Sequence, residues 1–246
     1  MQLVQDMIQT GTWLFRWRSY LPLLMLVPLV LRLRTYTWPS GRYDLQLGWE
    51  CVCLSVSSLG LLIRTYTLGH VPAYTSGRNS HRQRAHSLNT TGMYSLVRHP
   101  LYLGNFLIWL GIAMLLREWD LMVIFVLAFW LYYERIIAAE EDFLSHRFGE
   151  MYLAWSARTP AFVPCTANWQ PPELPFCFLT VVRREFTSVF GICLGYFLLD
   201  LAINSHVAGR MLWQPLGICL AVSGTLLYVP CLLLKRRTQI LQVAGR

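Results

Sequence analysis

Apolar runs near bilayer-crossing length constrain this chain more than any other feature. Six stand out: residues 20–31, 45–68, 101–116, 121–137, 186–204 and 212–234. A helix needs about 20 mostly apolar residues to span the hydrocarbon core. The first run is short and holds Pro22 and Pro28, as a kinked span or a tilted hairpin partner would. Only 14% of the 246 residues are charged, against about a quarter in soluble domains. The expected fold is therefore an all-α, polytopic transmembrane bundle of about six spans. The start carries Asp6 and no compact sequence of basic, apolar and small-residue regions, so the first span is expected to be retained.

A net charge of +8 could point to nucleic acid, but the arginines are not gathered on one soluble face. They sit between spans, where the positive-inside rule applies. Arg78, Arg82, Arg84 and Arg98 precede the third span; Arg135, Arg147, Arg158, Arg183 and Arg184 follow the fourth; Lys235, Arg236 and Arg237 follow the sixth. Both termini in the cytoplasm is the consistent solution, with Arg32, Arg34 and Arg42 as one discordant cluster. The seven cysteines are odd in number and mostly lie within spans, reading as small buried residues rather than a disulfide framework.

Two long polar loops, residues 69–95 and 138–185, flank one helical hairpin turned by "REWD". Both loops fall on the cytoplasmic side, so a site between them is roofed by loops and floored by membrane. Three regions follow: N-terminal helices over 1–76, a core over 77–165, and a linker with two spans over 166–246. The second loop opens with "AAEEDFLSHRFGEMYLAW", which has helical periodicity and extends the fourth span. It continues as "TPAFVPCTANWQPPELP", an extended proline-rich crossing.

Chemistry concentrates in "SLVRHPLYLGNF", residues 95–106. Pro100 suits the first position of a helix and puts His99 at its N-cap. Arg98, His99 and the helix start then gather positive character, fit for a carboxylate or phosphate. Tyr102, Asn105 and Trp109 form a polar-aromatic face. Gly104 and Gly111, seven apart, mark where a neighbour or ligand approaches the backbone. Glu140 and Glu141 end an apolar span, where acids need partners. Adjacent helical residues point about 100° apart, so one acid is expected at a ligand and the other at an arginine. Arg64 reads equally as a membrane anchor or a substrate clamp. His81 and His86, five apart without an acid or cysteine set, make a poor metal pair, and no metal is expected.

"TTGMYSLVRHPLYLGNFLIWLG", "EEDFLSHRFGEMYLAW" and "TPAFVP" together resemble the integral-membrane methyltransferases related to isoprenylcysteine carboxyl methyltransferase and the phospholipid methyltransferases. The resemblance covers roughly residues 77–164. It implies S-adenosylmethionine bound on the cytoplasmic side under a cap of loops and a short helix. It also implies a lipid or lipidated acceptor (carboxylate, phosphate or amine) entering from the bilayer. The implied cofactor residues are Gly92, Tyr94, His99, Pro100, Tyr102, Gly104, Glu140 and Glu141. Arg98 or Arg158 would orient an anionic acceptor, and Glu141 would serve as base for an amine. "TSGRN" and "SLNTTG" look closest to bacterial members, which implies the inner membrane and an envelope lipid such as a lipid phosphate. Two other readings stand beside this one. A membrane reductase would use Arg82 or Arg84 for the 2′-phosphate of NADPH. A non-catalytic scaffold or transporter should show charges buried at mid-span; here the conspicuous polar groups cluster at the cytoplasmic span ends.

Overall fold

The computed structural model describes residues 2–18, 20–72, 75 and 85–246, and helices are the only regular structure among them. Gly77, Arg78, His81, Arg82 and Arg84 lie outside the described residues. In chain order the α-helices are α1 (Gln2–Trp17), α2 (Leu26–Arg32), α3 (Tyr43–His70), α4 (Met93–Leu96), α5 (Pro100–Ala113), α6 (Trp119–Phe148), α7 (Glu150–Arg158), α8 (Phe178–Ala208) and α9 (Pro215–Arg237).

Four helices, α3, α6, α8 and α9, are long and apolar enough to cross a membrane. A fifth span exists if Gln2–Trp17 and Leu21–Thr35 count as one bent pair. The expected count of about six is not confirmed, on two points. Residues 20–31 do not make one helix: Pro22 opens a 3-10 turn, Leu21–Met25, before α2 begins. The 101–116 run becomes Pro100–Leu116, a shorter apolar segment of about 25 Å at 1.5 Å per residue.

That shorter segment is the centre of the bundle. α5 is apolar all round, and Tyr102, Ile108 and Ile112 are buried among its neighbours. It can lie close to α3 because glycines face each other there. A Cβ on Gly60 would overlap the Gly104 carbonyl, one on Gly104 would overlap Arg64 and Gly60, and one on Gly111 would overlap Ser57 and the Cys53 carbonyl. Ser57 Oγ uses that proximity to donate to the Ile108 carbonyl, 2.8 Å away, and also meets Tyr196 Oη of α8 at 2.9 Å. The Cβ side of Gly104 is therefore occupied by helix packing against α3, and Gly104 does not line the chamber described below.

α6 has 30 residues, about 45 Å of helix against a hydrocarbon core of about 30 Å. The end carrying Glu140 and Glu141 thus projects past the apolar layer. Gly149, at φ 51°, ends α6 in a conformation costly for other residues, and α7 turns back. Three backbone hydrogen bonds of 2.9 Å then pin the proline-rich crossing beside the motif. They run from Arg98 N–H to Pro160 O, Cys165 N–H to Leu96 O, and Gly92 N–H to Gln170 O.

Two of the three discordant arginines are paired with acids. Arg32 bonds Asp120 at the "REWD" turn and lies 3.9 Å from Glu118, while Arg42 pairs with Asp44. Nearby, a polar network sits inside α3 and α8, contrary to the expectation that polar groups keep to the cytoplasmic ends. Glu50 and Asp200 are only 2% and 7% exposed. Gln46 donates to Glu50 at 2.8 Å and accepts from Tyr36, and Asn204 bonds both Asp200 (2.6 Å) and Trp38 Nε1 (2.9 Å).

The α3–α5 approach yields a direct test. Gly60→Ala should destabilise the protein by about 1–3 kcal/mol through overpacking. Gly48→Ala, on the same helix with open space around it, should be neutral or stabilising by up to about 1 kcal/mol. Thermal midpoints of the two detergent-purified variants decide this; equal midpoints would mean that the helices can slide apart at no cost.

Candidate active site

His99 is the N-cap residue of α5, with Pro100 at the first helical position. Its carbonyl accepts from the Tyr102 and Leu103 N–H groups, both at 3.1 Å, which fixes the first turn. The imidazole is 6% exposed and stacks on Tyr102, with centroids 5.5 Å apart and planes at 17°. Its Nε2 lies 3.0 Å from Glu141 Oε1, so the Nε2 proton points to that carboxylate. The same oxygen is 3.3 Å from Arg98 Nη1. Glu140 turns the other way, receiving the Tyr102 hydroxyl at 2.7 Å, with His99 Nδ1 3.8 Å off. The two acids thus divide as their helical offset requires: Glu141 meets the arginine, Glu140 faces the cavity.

That cavity is a chamber of about 850 Å³ running along α5, at the upper end of the roughly 300–1,000 Å³ typical of small-molecule sites. Tyr94, Arg98, His99, Pro100, Tyr102, Asn105 and Glu140 line its head; Ile108, Trp109, Ile112 and Ile192 line it further along. Behind the head, Arg64 grips Glu185 with two hydrogen bonds, 2.6 and 3.1 Å, and donates to Asn105 Oδ1 at 2.5 Å. Asn105 passes the chain on to Tyr133 at 3.2 Å. Glu185 is 1% exposed. Arg64 is therefore neither a simple anchor nor a free clamp: it is the buried partner of Glu185. Two more buried atoms, Arg98 Nε and Tyr152 Oη, are without a close hydrogen-bond partner; Arg98 lines the chamber, whereas Tyr152 lies behind it beside Glu141 and Arg98. Burial is the main cause that pushes the Tyr152 phenol above its usual range, keeping it a donor.

Not every expected residue joins this group. Glu141 does not line the chamber; it holds His99 and Arg98 from behind. Arg158 is exposed on α7 and lines a separate recess with Thr90, Asn168 and Gln170. Gly92, at φ 60°, makes the turn into α4 and borders a third recess, which Tyr94 shares with the chamber. Glu185, Arg183 and Arg184 entered no expected site, although Glu185 is the one acid between residues 178 and 199. An acid immediately before an apolar run was the available signal. Among the described residues, no three His, Cys, Asp or Glu side chains form a group that could hold a metal ion.

The phospholipid methyltransferase family model matches residues 52–151. The chain is 39% identical over 111 residues to the nickel-cobalt-cadmium resistance protein NccN of Alcaligenes xylosoxydans xylosoxydans, covering 45% of this chain and 49% of that protein. It is 31% identical over 118 residues to the protein-S-isoprenylcysteine O-methyltransferase of Schizosaccharomyces pombe (48% of each chain). The Rattus norvegicus enzyme of the same name is 32% identical over 133 residues, 52% of this chain and 44% of that one. The chain spans about half the length of the curated relatives it matches, and no solved structure matches it. Residues 52–151, which contain the His99, Glu140 and Glu141 cluster, are thus similar to the phospholipid methyltransferase family, and about half of the chain is similar to protein-S-isoprenylcysteine O-methyltransferases.

Proposed function

We propose that this protein transfers a methyl group from S-adenosylmethionine to a lipid-borne acceptor at the cytoplasmic face of a bacterial inner membrane, with both termini in the cytoplasm. The observation that carries the reading is the shape of the chamber. Its charged head, at the His99 end of α5, passes into apolar walls within three turns of one helix. A polar donor and an apolar acceptor can meet there.

The residues present fit the donor. Its carboxylate suits the α5 N-terminus and Arg98, whose Nε lacks a partner. Glu140, open to the chamber, suits ribose hydroxyls or the ammonium group. Glu141 keeps His99 and Arg98 in place, and Tyr152 Oη adds a donor close by. When bound, the donor supplies a methyl group activated by a positively charged sulfur. The protein's part is to align the two reactants and keep water out, the effects that dominate in-line displacements. The buried α5 and the cap formed by α7 and the 159–170 crossing do both. The cations Arg98, Arg147, Arg183, Arg184 and Lys235 all lie toward this end of the bundle, which supports a cytoplasmic placement.

Calorimetry of the detergent-purified protein should show saturable binding of S-adenosylmethionine or its demethylated product. His99→Ala and Glu141→Gln should each weaken it about tenfold or more, the range for a charge-assisted hydrogen bond, at unchanged secondary structure. Unaltered affinity in both variants would sink the site assignment, and saturable binding of NADPH alone would make this a reductase. With a radiolabelled methyl donor and a total lipid extract, label should pass into the organic phase. His99→Ala should reduce that transfer at least tenfold, and label confined to the aqueous phase would remove the lipid acceptor.

A further inference from the structure

We propose that α8 and α9, which lie outside the family segment, add a cationic headgroup subsite to the chamber. Arg183, Arg184, Thr187 and Lys235 would there hold the oxyanion headgroup of a lipid acceptor. The proposal rests on the methyl-transfer reading and names its substrate class.

Charge is the first ground. Seven of the residues lining the chamber are Arg or Lys and two are Glu. Both acids are engaged, Glu185 by Arg64 and Glu140 by Tyr102. A strongly positive cleft concentrates anions. S-adenosylmethionine does not match it, because its ammonium and sulfonium outweigh its one carboxylate. Arg64 is held by Glu185 and Arg98 by Glu141, yet the lining still carries more cations than acids, which suits a second, anionic ligand.

Patterning along α8 is the second ground. Arg183, Thr187 and Gly191 repeat every four residues and all line the chamber, as do Arg184, Ser188 and Ile192. One face of α8 thus changes from guanidinium to hydroxyl to apolar surface within three turns. Thr187 Oγ1 is buried and has no hydrogen-bond partner, which leaves it able to donate to a headgroup oxygen. Gly191 has no atom within 4 Å of where a Cβ would stand, so the passage beyond the cations is open. The order of groups is that of an amphiphile: charged head, then chain. Lys235, at the end of α9, lies over the Phe186 ring at 5.2 Å and brings its charge to the same wall. Two adjacent arginines, a lysine and a hydroxyl suit a phosphate, with its several oxygens, better than a carboxylate.

The chemistry closes without a base. An anionic headgroup oxygen forms the new O–C bond as the carbon–sulfur bond breaks, and that bond's electron pair goes to sulfur. One negative and one positive charge disappear together, and no proton is released. The methylated headgroup has less charge than the substrate, so the cationic subsite binds it more weakly and releases it.

The test uses the full chain in non-ionic detergent and three probes: a phosphatidic acid, a long-chain fatty acid and phosphatidylcholine. Wild-type protein should bind the anionic lipids in preference to the zwitterion, and the two anionic arms tell phosphate from carboxylate. The double variant R183Q/R184Q should lose roughly tenfold or more of that affinity. Gly191→Phe, which fills the tail passage and leaves the cations alone, should also weaken lipid binding. In both variants S-adenosylmethionine affinity should stay within about twofold. Equal binding of phosphatidylcholine, or undiminished anionic-lipid binding in the double variant, would overturn the subsite. Lipid binding as expected but no binding of the sulfonium donor to wild type would instead remove the methyl-transfer reading.

Discussion

The buried pair of Arg64 and Glu185 is the constraint on which the architecture of this protein turns. Removing one partner of such a pair costs about 3–5 kcal/mol, because the other is left as an uncompensated charge. Here the pair joins α3 to α8, and through Asn105 and Tyr133 it reaches α5 and α6 as well. Four helices are thus fixed at one level of the bundle. The family segment supplies three of them; α8 comes from outside it. The pair of Glu185 and Arg64, with the packing of Ile192, Tyr196 and Ile203, holds α8 in place as the chamber's fourth wall.

Above that level, two consecutive acids on α6 do different work because a helix separates them by about 100°. Glu141 contacts both Arg98 and His99, which fixes ring and guanidinium in place while leaving Arg98 Nε without a partner. Glu140, bonded to one phenol, keeps accepting capacity toward the cavity. The pinned 159–170 crossing positions Arg98 through its backbone, by the bond from Arg98 N–H to Pro160 O. A preorganised head of this kind favours alignment over adjustment.

Much of this was legible in the sequence, and the exceptions have physical causes. Pro100 after Arg98-His99 announced a helix start, and the E-E pair announced split roles, since both rules are local. Gly104 was ambiguous because a glycine that admits a ligand and one that admits a helix look the same; only the facing Gly60 decides. Arg158 could not be placed from sequence, because Gly149 reverses the chain and directs α7 toward a different recess. α1 escaped notice because it is no apolar run: it is amphipathic and uses Gly11 to rest on the Arg135 carbonyl of α6. The partnership of Arg64 with Glu185 spans 121 residues, and no periodicity encodes a contact of that range.

The two ends of the bundle differ in a way that fits one ligand entrance. At the far end, Glu50, Asp200, Gln46 and Asn204 are buried side chains whose hydrogen bonds run to one another and to Tyr36 and Trp38. Arg32 is likewise answered by Asp120. That network joins two acids to neutral amides and phenols, and it leaves Glu50 Oε2 and Tyr43 Oη without a hydrogen-bond partner. Between the ends lies an apolar layer with Ile108, Ile112, Ile192 and Ile203 at its centre. At the chamber end, cations outnumber acids and Arg98 Nε, Tyr152 Oη and Thr187 Oγ1 lack partners. Such an imbalance is costly in an apolar surrounding unless something else completes it. The two ends therefore differ in sign: the far end buries two acids, whereas the chamber end gathers cations and draws an anionic ligand to itself alone.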